Sequence, residues 1–144
     1  MVNRYNRAIH YEDEVLGNIV ARLEKLSRPA FMLYTSDHGE APASGTWRLN
    51  SANSTYEIPF ICWANDSFCK WRPELLHRLN AASAKPVQAD EMFGTLMEIA
   101  GIRTKDASLQ PASSLDSDFK PRNPRLIRYG TTEYAERKRK YTEY

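Results

Sequence analysis

The sequence predicts an α/β layered fold, with a short, mainly parallel sheet flanked by helices. Three observations carry this. Val15, Leu16, Ile19, Val20, Leu23 and Leu26 recur at helical spacing. Two short apolar runs, residues 30–36 and 57–64, are rich in aromatic and branched side chains and read as strands. Two further helical patterns follow the second run. The order helix, strand, loop, strand, helix, helix is that of a layered α/β structure.

The first helix is expected over residues 7–26, with Glu12, Asp13, Glu14, Arg22, Glu24 and Lys25 mostly on its polar side. Gly17 weakens it by about 1 kcal/mol relative to alanine, and Ser27-Arg28-Pro29 stops it. The strand at 30–36 follows after a connection of ordinary length. Residues 40–55 are polar, with glycine, proline, serine and asparagine throughout, and read as a long surface loop. Pro59 must stand near the start of the second strand, because proline donates nothing to a ladder. Arg72-Pro73 opens a short helix with Leu75, Leu76 and Leu79 on its apolar face. Residues 81–89 form a linker. Asp90 is placed to cap a helix carrying Met92, Phe93, Leu96, Met97, Ile99 and Ala100, which Gly101 ends.

After Lys105 the periodicity fades. Residues 108–118 read as loop, 126–129 as a short edge strand, and 133–144 as a charged stretch with no apolar face. The chain therefore divides into residues 1–105 and an irregular, basic tail at 106–144. From Ser117 onward 8 Lys/Arg stand against 4 Asp/Glu, whereas the whole chain of 144 residues carries only +2. In the tail, Arg137-Lys138-Arg139-Lys140 is interrupted by Glu133, Glu136 and Glu143, a poor electrostatic footprint for nucleic acid. Cys62 and Cys69 make no disulfide framework and read as free thiols. No apolar run approaches the ~20 residues of a membrane span, and residues 1–5 hold no signal-peptide core. As written, the chain is expected in the cytoplasm.

The chemistry concentrates in Tyr34-Thr35-Ser36-Asp37-His38-Gly39-Glu40. An apolar strand ends there in two adjacent metal-ligand types. Asp37 offers a hard oxygen and His38 a borderline nitrogen, a pair that suits zinc or manganese. Glu40 reads as a solvated loop residue, with an outer-shell partner that orients His38 as the alternative. The plainer reading of the same residues is a polar turn with Asp37 capping and His38 hydrogen-bonded. His10, beside charged neighbours, reads as surface, and His77, next to Leu75, Leu76 and Leu79, as structural or exposed; neither has a ligand partner at a telling spacing. Trp63, at the end of an apolar strand, reads as core, while Trp47 and Trp71 are candidates for lining a pocket.

Four stretches, taken in order, resemble the C-terminal part of the phosphoethanolamine transferases that modify lipid A and lipopolysaccharide, members of the alkaline phosphatase and sulfatase superfamily. They are Asn3-Arg4-Tyr5-Asn6-Arg7-Ala8 with Tyr11-Glu12-Asp13; Leu33 to Glu40; Tyr56-Glu57-Ile58-Pro59-Phe60-Ile61-Cys62-Trp63; and Phe93-Gly94-Thr95-Leu96 with Ala100-Gly101-Ile102-Arg103-Thr104. The resemblance implies a partial alkaline-phosphatase-like fold and a zinc-dependent transfer of phosphoethanolamine from a phospholipid donor to a lipopolysaccharide acceptor. It implies that Asp37 and His38 are zinc ligands. It places the threonine nucleophile and a further acidic ligand in a segment before anything present here, so that this chain alone is expected to be inactive. It also implies an inner-membrane parent with a periplasmic catalytic domain. Relatives often carry a histidine in the loop between Gly39 and Pro59; here the loop offers Ser44, Thr46, Asn50, Asn53, Ser54 and Thr55. Two competing readings are a fragment of a sulfatase- or phosphatase-type hydrolase, and a non-catalytic module forming a homodimer through an exposed strand edge.

Overall fold

The computed structural model describes residues 2–40, 53–127 and 132–135. They fall into two compact units. One comprises Met1–Trp71 with Leu126–Tyr144, the other Arg72–Arg125.

The first unit opens with α1 (Val2–Glu24), a few residues earlier than periodicity suggested. Leu16, Val20, Leu23 and Leu26 are half-buried, whereas Ile9, Val15 and Ile19 remain exposed. The apolar stripe of α1 is thus wider than the surface covering it. Strand β1 (Phe31–Thr35) follows. After a 3-10 turn at Asn53–Tyr56 comes β2 (Phe60–Ala64). It begins later than expected, because Glu57 is committed to the preceding turn and Pro59 cannot donate to the ladder.

The expected mainly parallel sheet is not what forms. β1 and β2 pair directly and antiparallel, in the register Phe31↔Ala64 through Thr35↔Phe60. The cause is the neck of the connecting loop. The Gly39 amide donates to the Thr55 carbonyl at 3.1 Å. The chain therefore re-enters the sheet at the end where it left, without the crossover that parallel pairing demands. Most of the loop predicted over residues 40–55 lies outside the described residues, with Trp47, Ser44, Thr46 and Asn50 in it.

A short helix, α2 (Asp66–Trp71), follows β2 directly and was not anticipated. Phe68 on α2 is the buried centre of this unit, its ring 5.3 Å from Phe31 and 5.8 Å from Trp71. Trp71 itself is exposed, and Trp63 is only half-buried. Asn65, at the junction of β2 and α2, is buried and makes the densest set of polar contacts in the unit. Its Oδ1 accepts from the amides of Ala30 (3.0 Å) and Phe68 (2.9 Å). The second of these caps α2. Its Nδ2 donates to the carbonyls of Leu23, Leu26 and Arg28 at 3.4, 3.3 and 3.0 Å. Leu23 stands in the last turn of α1, whose carbonyls lack partners further along the helix, while Leu26 and Arg28 lie in the connection to β1.

Helix and sheet are also joined by Tyr34, whose hydroxyl donates to Glu12 Oε1 at 2.6 Å. That bond to Glu12, reinforced by partial burial and by the Glu12 charge, holds the phenol above the ordinary tyrosine range. A folded-state pKa above the unfolded value contributes stability that is complete below the unfolded value, near 10, and is lost as pH rises through the folded one. Urea unfolding between pH 8 and 11 is therefore expected to show a fall in stability on the alkaline side, and Tyr34→Phe should remove its share of that slope.

Two residues, Leu126–Ile127, form β3 and pair antiparallel with β4 (Thr132–Glu133). β3 lies within the stretch read as an edge strand. The intervening residues, and the basic run 137–140, are outside those described. Tyr134, just after β4, is buried, and its hydroxyl donates to Glu57 Oε1.

In the second unit, α3 (Pro73–Ala82) begins with proline in its first turn and buries Leu75 completely. His77 is exposed. α4 (Met92–Ile99) is preceded by a 3-10 turn at Ala89–Glu91. The cap is not Asp90, which instead pairs with Arg122 at 2.7 Å. Gln88 and Glu91 form a reciprocal capping box, with the Gln88 amide donating to Glu91 Oε2 at 2.7 Å. Gly101 ends α4 as expected, at φ +70°. Its amide donates to Glu98 O at 3.0 Å and that of Ile102 to Met97 O at 2.8 Å, the paired bonds of a Schellman motif.

Much of this unit's interior is polar. Thr95 Oγ1 lies 2.9 Å from Ser114 Oγ and accepts from the Ser114 amide at 3.0 Å. Arg78 reaches buried Glu98 at 2.5 Å, Asp116 at 3.3 Å and the Leu115 carbonyl at 3.0 Å. These partners offset the cost of burial, although the second oxygen of Glu98 is buried without one.

Candidate metal centre

β1 delivers Ser36-Asp37-His38-Gly39 at its C-terminal end, where the chain turns away from the sheet. The turn is held by its own side chains. Ser36 Oγ donates to the His38 carbonyl at 2.6 Å, and the His38 amide donates to Asp37 Oδ1 at 3.1 Å. Gly39 then packs against the backbone of the 3-10 turn, with its amide on Thr55 O. A Cβ at Gly39 would lie 2.5 Å from Glu57 O and closer still to Ser54 O. The glycine is required by this approach of two backbones.

The orientation of His38 follows from one contact. Its Nδ1 lies 2.9 Å from the Gly39 carbonyl. A carbonyl can only accept, so in the neutral ring Nδ1 carries the proton and Nε2 keeps its lone pair. The bond to Gly39 raises the imidazole pKa, burial pulls it back down, and the charges of Asp37 and then Glu40 raise it again. Nε2 lies 4.0 Å from Asp37 Oδ1, and the Asp37 side chain is 90% exposed against 38% for His38. A tetrahedral zinc with bonds of about 2.0–2.1 Å holds its ligand atoms about 3.3 Å apart. A modest rotation of the exposed Asp37 carboxylate closes that gap. The pair would suit one side of a zinc site, with an Asp37 oxygen and His38 Nε2 as the atoms that would hold it.

The remaining sides are another matter. Among the described residues no group of three or more His, Cys, Asp or Glu could hold a metal. Cys62, in β2, is a free thiol whose pKa burial pushes up, which disfavours the thiolate a metal needs. His10 is exposed on α1. The structure places Asp37 and His38 together at the turn after β1 and brings neither His10 nor Cys62 into a metal-holding group with them, among the described residues. Sequence reasoning missed the residues that shape their turn: Ser36, Thr55, Glu57 and Tyr134. Ser36 stood within the motif itself; the other three gave no sign in the sequence.

The family model for sulfatases matches residues 1–102, which includes the whole Asp37–His38 turn. The chain belongs to the sulfatase family. Within it, the chain is similar to the phosphoethanolamine transferase EptA of Helicobacter pylori, at 38% identity over 74 residues, covering 47% of this chain and 14% of that protein. It is also similar to EptC, the phosphoethanolamine transferase of Escherichia coli K12, at 27% identity over 107 residues, covering 69% and 18%. The chain thus spans less than a fifth of the length of the curated relatives it matches. No solved structure matches it. These sulfatase-family relatives agree with the resemblance carried by the four sequence stretches. Among the described residues, no helix of this family member is long and apolar enough to cross a membrane.

Proposed function

We propose that this chain is part of a zinc-dependent phosphoethanolamine transferase and supplies one side of its metal centre, through Asp37 and His38. The observation that carries this reading is the fixed His38 tautomer, with Nε2 free beside an exposed Asp37 carboxylate, inside the segment matched by the sulfatase model. The two relatives support the transferred group, since both are named phosphoethanolamine transferases. In this reading the donor is a phospholipid and the acceptor a lipopolysaccharide, met at the inner membrane by a periplasmic catalytic domain. Zinc, when bound, supplies Lewis acidity toward phosphoryl oxygens.

The chain's own residues have a narrower task. Gly39 O fixes the His38 ring, Ser36 fixes the turn, and Asp37 presents its carboxylate to solvent. Glu40, whose charge already reaches His38, is assigned the outer role of orienting it. In this reading a nucleophile and the remaining ligands come from elsewhere, and the chain alone is inactive. Hydrolysis of sulfate or phosphate esters would use the same metal ligands, and the relatives favour transfer over it. Zinc titration of the native chain and of Asp37→Ala tests the proposal, with weak binding expected in the first and none in the second.

A further inference from the structure

We propose that Tyr134 is a positioning residue for the Asp37–His38 turn, bracing it from a segment that lies beyond the family-matched residues 1–102. The inference deepens the metal-centre reading and rests on it for its functional meaning. Tyr134 is only 6% exposed, although its neighbours in sequence are mostly polar or charged. The β3–β4 pair carries it into the first unit, where its phenol donates to Glu57 Oε1. Glu57 is the last link of the 53–57 turn, its amide donating to Ser54 O at 3.2 Å. The face of that turn formed by the Ser54 and Glu57 carbonyls is the surface on which Gly39 sits without room for a Cβ. Thr55, itself buried, accepts the Gly39 amide at 3.1 Å. Gly39 O in turn receives His38 Nδ1. A continuous set of contacts therefore runs from the Tyr134 hydroxyl to the ring that would hold the metal. It needs no movement to operate: it limits where the 53–57 turn can stand, and so where Gly39 and His38 stand.

The test is amide hydrogen exchange, read residue by residue by NMR, in the native chain and in Tyr134→Phe, Glu57→Ala and Glu57→Gln. Tyr134→Phe and Glu57→Ala are each expected to speed exchange of the Gly39 amide roughly tenfold, the size of one lost hydrogen bond. The double variant should cost less than the sum of the two single losses, since both remove the Tyr134–Glu57 contact. Glu57→Gln keeps an acceptor oxygen and should stay near native. The Cys69 amide, bonded to Asn65 O in the same unit, should not change; a general loosening would move it as well. Should Tyr134→Phe fail to fold, Glu57→Ala alone reads the contact. Unchanged Gly39 exchange, or equal acceleration at Cys69, overturns the proposal. A native chain whose His38 ring signals ignore added zinc would instead overturn the metal reading, while selective acceleration at Gly39 would leave the brace standing.

Discussion

Replacing Asn65 by alanine is expected to cost about 3–4 kcal/mol of stability in the first unit, read by urea unfolding. The side chain makes every polar contact its amide allows: two N–H groups shared among three carbonyls, and one oxygen receiving two amides. Each buried partner left without a bond costs about 1–3 kcal/mol, and the lost cap on α2 contributes about 1 kcal/mol within that sum. Partial rehydration at the end of α1 offsets some of it. Variants separate the two roles. Asn65→Ser keeps a capping oxygen but not the link to α1, and should recover about 1 kcal/mol. Asn65→Asp keeps the acceptor but turns a carboxylate toward three carbonyl oxygens, and should be no better than alanine at neutral pH. A loss below about 1 kcal/mol for Asn65→Ala would show that these contacts do not bind α1, β1 and α2 together.

Gly39→Ala is the second substitution with a large expected effect, about 3 kcal/mol or more, because the new methyl meets backbone and not a movable side chain. Its Cβ would approach the Ser54 and Glu57 carbonyls more closely than the 3.0 Å that real Cβ atoms respect. The 53–57 turn must retreat or the strand end must rotate. Either movement breaks the Gly39–Thr55 bond and displaces the carbonyl that orients His38. Urea unfolding should report the stability loss. The His38 ring signals should report the lost orientation by shifting even where the variant remains folded. A variant with native stability and native His38 signals would mean that the turn yields freely and that Gly39 is not selected by the approach.

These two sites also show what the sequence makes legible. Apart from α2, the helices and the two longer strands followed from apolar spacing and from Gly and Pro, and Gly101 ended α4 where its freedom at positive φ is needed. Strand direction did not follow, because it depends on a bond between Gly39 and Thr55 that closes a long loop. The capping roles of Asn65 and of Gln88 with Glu91 were open to a closer reading. Asn65-Asp66-Ser67 after a strand is a helix-start signal. The buried polar residues Thr95, Ser113 and Ser114 were not, since polar burial is decided by partners distant in sequence. The same holds for Tyr134 and Glu57, which are 77 positions apart. For the candidate site, the ligand types and their order were written in the motif, while the number of ligands that converge depends on the folded chain.

Asp37 and His38 are proposed as one side of a zinc site. Calorimetric titration of zinc into the native chain and into Asp37→Ala tests this proposal most directly. Complete structural zinc sites in small peptides bind with about 10–16 kcal/mol. Half the ligands should leave roughly 5–8 kcal/mol, a Kd of about 1–200 µM. One site in that range is expected in the native chain and none in Asp37→Ala. No heat in either protein, or tight binding that survives the substitution, would contradict it.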